Sequence, residues 1–146
     1  IMNKKELESR RAIYLDNYEK TALIEARTML MMAKREILPA CMEWEDKLAR
    51  DIEKLDAAGT NFGGVQKIQL AKTGALLNEL FSDIEKLEAQ IQEMQDLESS
   101  YDRCVFFRDR IKDTMDALRA AADSLETIVS RKVWPIPTYA DILFYE

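Results

Sequence analysis

The chain has 146 residues, enough for one domain with a buried core. Its formal net charge of -6 argues against a nucleic-acid backbone as partner, and no apolar run reaches the ~20 residues that cross a bilayer. Histidine is absent, which removes histidine zinc sites and histidine-based catalytic triads. Few glycines and prolines among many Ala, Leu, Glu and Lys residues indicate long helices.

The first predicted helix begins after Asn3, which has capping-box spacing to Glu6. Its apolar or small residues recur at intervals that predict a core-facing stripe. This stripe consists of Leu7, Tyr14, Tyr18, Thr21, Ile24, Thr28, Met31 and Met32. Pro39 removes one backbone donor, so the helix should kink or briefly break at 37–38 before it resumes and ends at 57–59.

Two charged residues, Glu25 and Arg27, lie close to this stripe. We expect them to form partly buried ion pairs with a neighbouring helix, which would define the helix register. A site for an anion or a protein partner is the alternative. Cys41 and Cys104 fall within helical patterns, and we expect reduced, buried thiols in a cytoplasmic protein.

The segment 59–64 is a clear turn, and a second long helix follows it. Its predicted core face consists of Val65, Ile68, Leu76, Leu80, Ile84, Leu87, Ile91 and Met94. A third apolar seam consists of Tyr101, Cys104, Arg108, Ile111, Met115, Leu118, Ala122, Leu125 and Val129. The chain turns either at 99–100, where Ser99 and Asp102 have capping-box spacing, or nearer 112–113.

These patterns predict an all-α fold, an up-down bundle of three to four long helices in a single domain of residues 1–146. Its first helix is kinked near Pro39, and an extended tail, 133–146, follows the bundle. Trp134, Pro135 and Pro137 begin this tail, and the prolines disfavour helix there. We expect the apolar tail to pack on the chain's own helices, with docking on another domain or subunit as the alternative.

The sequence offers little chemistry of its own. Gly63 and Gly64 lack the spacing of a phosphate-binding loop, and most carboxylates fit solvated helix faces. We therefore predict no catalytic, cofactor-binding or metal-binding residue in this chain.

Two stretches resemble the C-terminal region of type III glutamine synthetase. One runs from Glu6 through Ile24-Glu25-Ala26-Arg27-Thr28-Met29 to Pro39, and the other from Met115 through Trp134-Pro135-Ile136-Pro137-Thr138-Tyr139 to Phe144. The positions with the most distinctive match are Glu25, Arg27, Pro39, Arg119, Asp123, Glu126, Trp134, Pro135, Pro137, Tyr139 and Phe144. Relatives often carry a proline before the position of Met115, which would favour a helix start near Asp113.

The resemblance implies a non-catalytic C-terminal helical domain with a structural or oligomerisation role. The full-length family ligates ammonia to glutamate with ATP and divalent metal, at an active site upstream of this region. The implied partners are the catalytic domain of the same polypeptide and further copies in a homo-oligomer. The alternative that the residues leave open is a free-standing, coiled-coil-like protein-interaction module.

Overall fold

A computed structural model of the chain describes residues 3–59 and 63–143. These residues form six α-helices and two π-helical segments, with no strand among them. The helices are α1 (Lys4–Met32), α2 (Leu38–Ala57), α3 (Gly64–Gln95), α4 (Ser100–Phe106), α5 (Lys112–Glu126) and α6 (Tyr139–Leu143). The π-helical segments, Ala33–Ile37 and Phe107–Ile111, join α1 to α2 and α4 to α5. The described chain therefore folds as three long helical rods, and the predicted all-α bundle is confirmed.

Neighbouring rods run in opposite directions, as two polar contacts between the first rod and α3 show. Lys34 Nζ donates to Glu88 Oε2 at 2.7 Å, and Lys67 Nζ donates to Asp56 Oδ1 at 3.3 Å. Position numbers thus rise along the first rod while they fall along α3, so these two rods are antiparallel. The third rod packs against both of the others, because α5 packs on α3 and α4 packs on α1.

Pro39 bends the first rod without ending it. The π-helical segment Ala33–Ile37 lies directly before it, and Pro39 occupies the first turn of α2. A proline lacks the backbone N–H and its ring crowds the carbonyl four residues earlier, and a wider π-helical turn moves that carbonyl away. The kink predicted at 37–38 is confirmed. The rod then ends at Ala57, followed by Gly59 with φ of 71°, a left-handed conformation typical of a helix end.

The side of α1 that faces the bundle differs from the predicted one. Its buried residues are Ala22 and Ala26, and small Ala33 continues the same face. Of the predicted stripe, Leu7, Tyr14, Tyr18, Ile24 and Met31 are instead exposed. At ~100° per residue, the two sets lie about a third of a turn apart. The alanines occupy the inward position, where small side chains let α1 pack closely on the rest of the bundle.

The core lies between the three rods, and α3 contributes several of its fully enclosed residues. These include Leu80, Ile84, Leu87 and Met94, packed against Ile111, Leu118 and Leu125 of the third rod. Two threonines are also buried, and each hydroxyl donates to the carbonyl one turn earlier. Thr73 contacts Gln69 at 2.9 Å and Thr114 contacts Arg110 at 3.3 Å, so neither hydroxyl is left without a partner.

Two of the predicted core faces are wrong at their ends. Val65 and Ile68 are exposed, because α5 ends at Glu126 and leaves the first turns of α3 partly uncovered. In the third rod, the π-helical segment Phe107–Ile111 shifts the helix phase, so Phe107 is buried in place of Arg108. Arg108 is exposed and pairs with Asp109 at 2.6 Å. Tyr101 is exposed as well.

The turn between the second and third rods lies at 96–99, which decides between the two predicted positions. Ser99 caps α4 by accepting from the Asp102 N–H, and the helical rod continues without a turn through 112–113. Arg103 then fastens α4 to α1. Its Nε donates to Glu19 Oε1 at 2.6 Å, and it also donates to the Leu97 carbonyl.

Glu19 is the partly buried acid of this fastening. Its burial raises the carboxyl pKa, but hydrogen bonds from Arg103 and Ser100 outweigh that effect, and the net pKa is lowered. The Ser100 hydroxyl donates to Glu19 Oε2 at 2.6 Å. A group with a lowered folded-state pKa stabilises the fold above its unfolded pKa, and this contribution is lost as the pH falls through the folded value.

The alanine face of α1 is buried and the predicted stripe is exposed. Two nearby substitutions, one on each face, should therefore differ in their effect on the free energy of unfolding. Ala26→Leu should destabilise the fold by about 1–3 kcal/mol, because it forces extra volume into the packed core, where Ala26 is fully buried. Ile24→Ala should change the unfolding free energy by no more than about 0.5 kcal/mol, because Ile24 is exposed. Urea unfolding followed by circular dichroism measures both, and a larger effect at Ile24 would contradict the assignment.

The hydrogen bonds between Glu19 and α4 predict that Glu19→Gln destabilises the fold more at neutral pH than in acid. Glu19→Gln should cost roughly 1–2 kcal/mol at pH 7, since hydrogen bonds to a charged acceptor are lost. The gap to the wild type should close as the pH falls below 4.5, the usual value for this carboxyl, through its lowered folded-state pKa. Asp16→Asn is the control, because its pair with Lys20 is solvent-exposed. Urea unfolding at pH 7 and pH 3 gives both comparisons, and a gap that widens in acid would refute the role of Glu19.

Candidate functional site: a groove between α1 and α5

An open groove of about 620 Å³ lies between α1 and α5, and the start of the tail closes one end of it. Both helices pack on α3, but they have little direct contact with each other, which leaves the groove between them. Its lining comes from α1, the first π-helical segment, α5 and the tail. The lining residues are Ile24, Glu25, Thr28, Met29, Met32, Ile37, Met115, Leu118, Arg119, Ala122, Asp123, Glu126, Trp134 and Ile136.

The floor of the groove is apolar and adaptable. Met29, Met32 and Met115 are partly buried, and Leu118 and Ile37 connect this floor to the core. Methionine side chains are flexible and polarisable, so such a floor can adjust to different apolar side chains. The groove has the size and the mostly apolar lining of a binding site rather than of a packing defect.

Charged side chains form the edges of the groove. Glu25 stands on the α1 edge, and Arg119, Asp123 and Glu126 follow one face of α5. Arg119 Nε lies 3.7 Å from Asp123 Oδ2, a solvent-exposed pair one helical turn apart. Glu25 and Glu126 have no basic partner within the described part of the chain. The rim therefore carries three carboxylates and one guanidinium, an excess of negative charge.

The tail reaches the groove through Trp134 and Ile136, which pack partly buried against the core. Pro135 and Pro137 point to solvent between and beyond them. The predicted extended conformation holds for the proline segment but not further, because α6 follows. Thr138 caps that helix: its N–H and hydroxyl donate to Asp141 Oδ2 at 2.8 and 2.7 Å. Arg131 also pairs with Asp141, which ties the two ends of the tail together.

The structure brings five of the eleven predicted motif residues to this one place. Glu25, Arg119, Asp123, Glu126 and Trp134 line the groove, although they lie up to 109 positions apart (134 − 25) in the sequence. Pro39 lies just outside it, after the π-helical segment. The backbone of Tyr139 begins α6, its side chain is not among those the structure describes, and Phe144 lies outside the described residues.

The prediction for Glu25 and Arg27 is wrong. Both side chains are exposed rather than partly buried, and neither forms an ion pair within residues 3–59 and 63–143. The reason is the rotation of α1, which turns the alanine face inward and moves positions 25 and 27 away from α3. Glu25 instead contributes to the groove, so the alternative of a partner site fits its position better.

Sequence reasoning missed two features. The helix α6 could have been found, since Thr138 and Asp141 have the spacing of a capping box. The ion pair between Glu19 and Arg103 has no such signal in the sequence. The two residues are 84 positions apart, and neither lies in a distinctive motif.

No reactive group was found that would give the groove chemistry of its own. Among the described residues, no cluster of three or more acidic or thiol groups could hold a metal ion. Burial raises the pKa of the Cys41 thiol to about 11, with a smaller effect of Glu45, so the thiol is protonated at neutral pH. Burial likewise raises the pKa of Cys104, whose Sγ donates to the Leu15 carbonyl. The arrangement suits binding.

The fold and groove define a class, an all-α helical-bundle domain with an open, mostly apolar groove. Comparison with known proteins then shows which proteins the chain is similar to. A family model described as "Glutamine synthetase C-terminal domain" matches residues 1–56. The type-3 glutamine synthetase of Dictyostelium discoideum is 29% identical over 99% of this chain and 20% of its own length. The glutamine synthetase of Butyrivibrio fibrisolvens is 27% identical over 99% of this chain and 21% of its own length.

The glutamine synthetase of Bacteroides fragilis is 19% identical, again over 99% of this chain. The predicted resemblance is confirmed as a similarity: over nearly its whole length the chain is similar to glutamine synthetases, a type-3 enzyme among them, and the matching family model describes their C-terminal domain. It spans about a fifth of the length of these relatives. No solved structure matches it. Among the described helices, none is long and apolar enough to cross a membrane.

The packing of Trp134 against the bundle predicts a measurable stability effect. Trp134→Ala should cost roughly 2 kcal/mol, less than the ~3–5 kcal/mol of a fully enclosed tryptophan, because its ring is only partly buried. Ile142→Ala is the control within the tail, since Ile142 is exposed, and it should stay within about 0.5 kcal/mol. Thermal and urea unfolding of both variants decide the matter. Equal, negligible effects would mean that the tail does not stabilise the isolated bundle.

Proposed function

We propose that this chain is the non-catalytic C-terminal helical domain of a type III glutamine synthetase. The whole enzyme would ligate ammonia to glutamate with ATP and divalent metal in the cytoplasm, at an active site formed upstream. The domain would pack on the catalytic domain of the same polypeptide and contribute to the homo-oligomer. The chain covers about a fifth of the relatives' length. This supports the proposal that the active site lies in the rest of the polypeptide.

The observation that carries the proposal is the exposed stripe of α1. We use this name for Leu7, Tyr14, Tyr18, Ile24 and Met31, large apolar side chains on one side of the helix. Tyr14 is 70% exposed and Ile24 is 65% exposed. Single exposed apolar residues are ordinary, but a run of them along one helix face marks a surface that another protein surface covers. The stripe also borders the groove, through Ile24.

The alternative of a free-standing coiled-coil module has lost its main support. It depended on the apolar seam from Tyr101 to Val129 being available to a partner helix. Most of that seam, including Ile111, Leu118 and Leu125, is buried against α3 within the same chain. On α1 the alanine face fixes the helix to the bundle, so its exposed apolar residues lie on the outer side of a packed helix.

The proposal predicts that the exposed stripe matters only in the full-length protein. Leu7→Ser with Tyr14→Ser should leave the unfolding of the 146-residue chain unchanged within about 0.5 kcal/mol per site, because both residues are exposed and lie outside the groove. In the full-length enzyme the same pair should dissociate the oligomer in light scattering and lower the rate of glutamine formation. Met42→Ser with Val65→Ser is the matched control, because both residues are equally exposed but lie off the stripe.

Three results would contradict the proposal. The native polypeptide could run at 16.9 kDa on an immunoblot of the source cells. The purified 146-residue chain could show ATP- and metal-dependent glutamine formation by itself. The stripe variant could also assemble and turn over like the control variant.

A further inference from the structure

The groove differs from the exposed stripe in one respect, its charge. The stripe is bordered by residues of both signs, whereas the groove has an apolar floor with carboxylates at its edges. Glu25 on one side and Glu126 on the other have no basic partner within the described residues. An apolar occupant that buried these edges would leave two carboxylates desolvated and unpaired, which is costly. The occupant must therefore bring positive charge to the rim.

The length of the groove indicates how large the occupant is. Its α5 edge runs from Met115 to Glu126, about 11 positions apart and hence ~16 Å at the rise of an α-helix. Two to three turns of a helix have the same length. The groove is open along this length, and its neighbour Ile24 is also exposed. A small molecule seated on the floor would leave Ile24 in water, whereas a helix laid along the groove would cover it.

We propose that the α1/α5 groove binds an amphipathic protein helix of two to three turns, with apolar side chains on the methionine floor and lysine or arginine at the carboxylate rim. Helix-in-groove recognition of this kind uses apolar anchors at intervals of three and four residues. The inference rests on the proposed function only for the source of that helix, which would be the rest of the same enzyme. Its chemistry follows from the groove itself.

A selection from random 16-residue peptides displayed on phage tests the chemistry with the 146-residue chain alone. The chain is immobilised, and peptides that also bind a Thr28→Trp variant are removed. Thr28 is exposed at the edge of the groove, so a tryptophan there fills the groove without entering the core. We expect enriched peptides to combine apolar residues at helical spacing with lysine or arginine flanks.

The binding of an enriched peptide is then measured on a Trp44→Phe background. Because the chain has two tryptophans, this change leaves Trp134, at the end of the groove, as the fluorescent reporter. Glu25→Gln with Glu126→Gln should weaken binding at least tenfold, and salt should weaken it as well. Glu85→Gln with Glu93→Gln is the control, because both residues are exposed on α3 outside the groove.

Each other outcome overturns the inference. No enrichment over the Thr28→Trp variant would mean that the groove is not a peptide site. Neutral or acidic peptides that bind equally well would remove the role of the rim. Both results leave the proposed function untouched, because the stripe variants test that function separately in the full-length enzyme.

Discussion

The inward-facing alanines of the first rod are the packing feature on which the rest of the structure depends. Ala22, Ala26 and Ala33 are enclosed in the core, with exposures of 3%, 0% and 0%. With these small side chains inward, the residues of the exposed stripe face away from the core, while Leu23, Met29 and Leu30 pack partly buried against it. The same rotation moves Glu25 out of any buried ion pair and places it on the edge of the groove. One packing choice therefore produces both the exposed stripe and the candidate binding site.

The π-helical segments adjust the long rods to this packing. The first absorbs the missing hydrogen bond of Pro39, so the rod of α1 and α2 can follow α3 without ending. The second brings Phe107 into the core and turns Arg108 to solvent. Phe107 then meets Tyr18 of α1 edge to face, with ring centroids 6.1 Å apart. Both segments thus match apolar faces that a regular helical repeat would leave out of phase.

The tail shows that residues far apart in the sequence can line one site in the structure. Trp134 lies far from Glu25 along the chain, yet both line the groove. The rigid prolines hold the backbone extended until Thr138 begins α6, so Trp134 and Ile136 face the bundle while the prolines face water. Glu25 and Trp134 are among the residues that carry the resemblance to glutamine synthetases, and both line the groove although the sequence separates them widely.

Local signals in the sequence were sufficient for most of the long helices. Capping spacing located the start near Asn3, Pro39 located the kink, and Gly59 marked the end of the first rod. These features depend on backbone hydrogen bonds and dihedral angles within a few residues. Capping spacing at Ser99 gave only one of two positions for the last turn, and the structure decided between them. The inward face of α1 also depended on the tertiary structure, because alanine and large apolar residues both recur at helical spacing. Only the space left by the neighbouring helices decides which of them fits, and the same packing forms the groove.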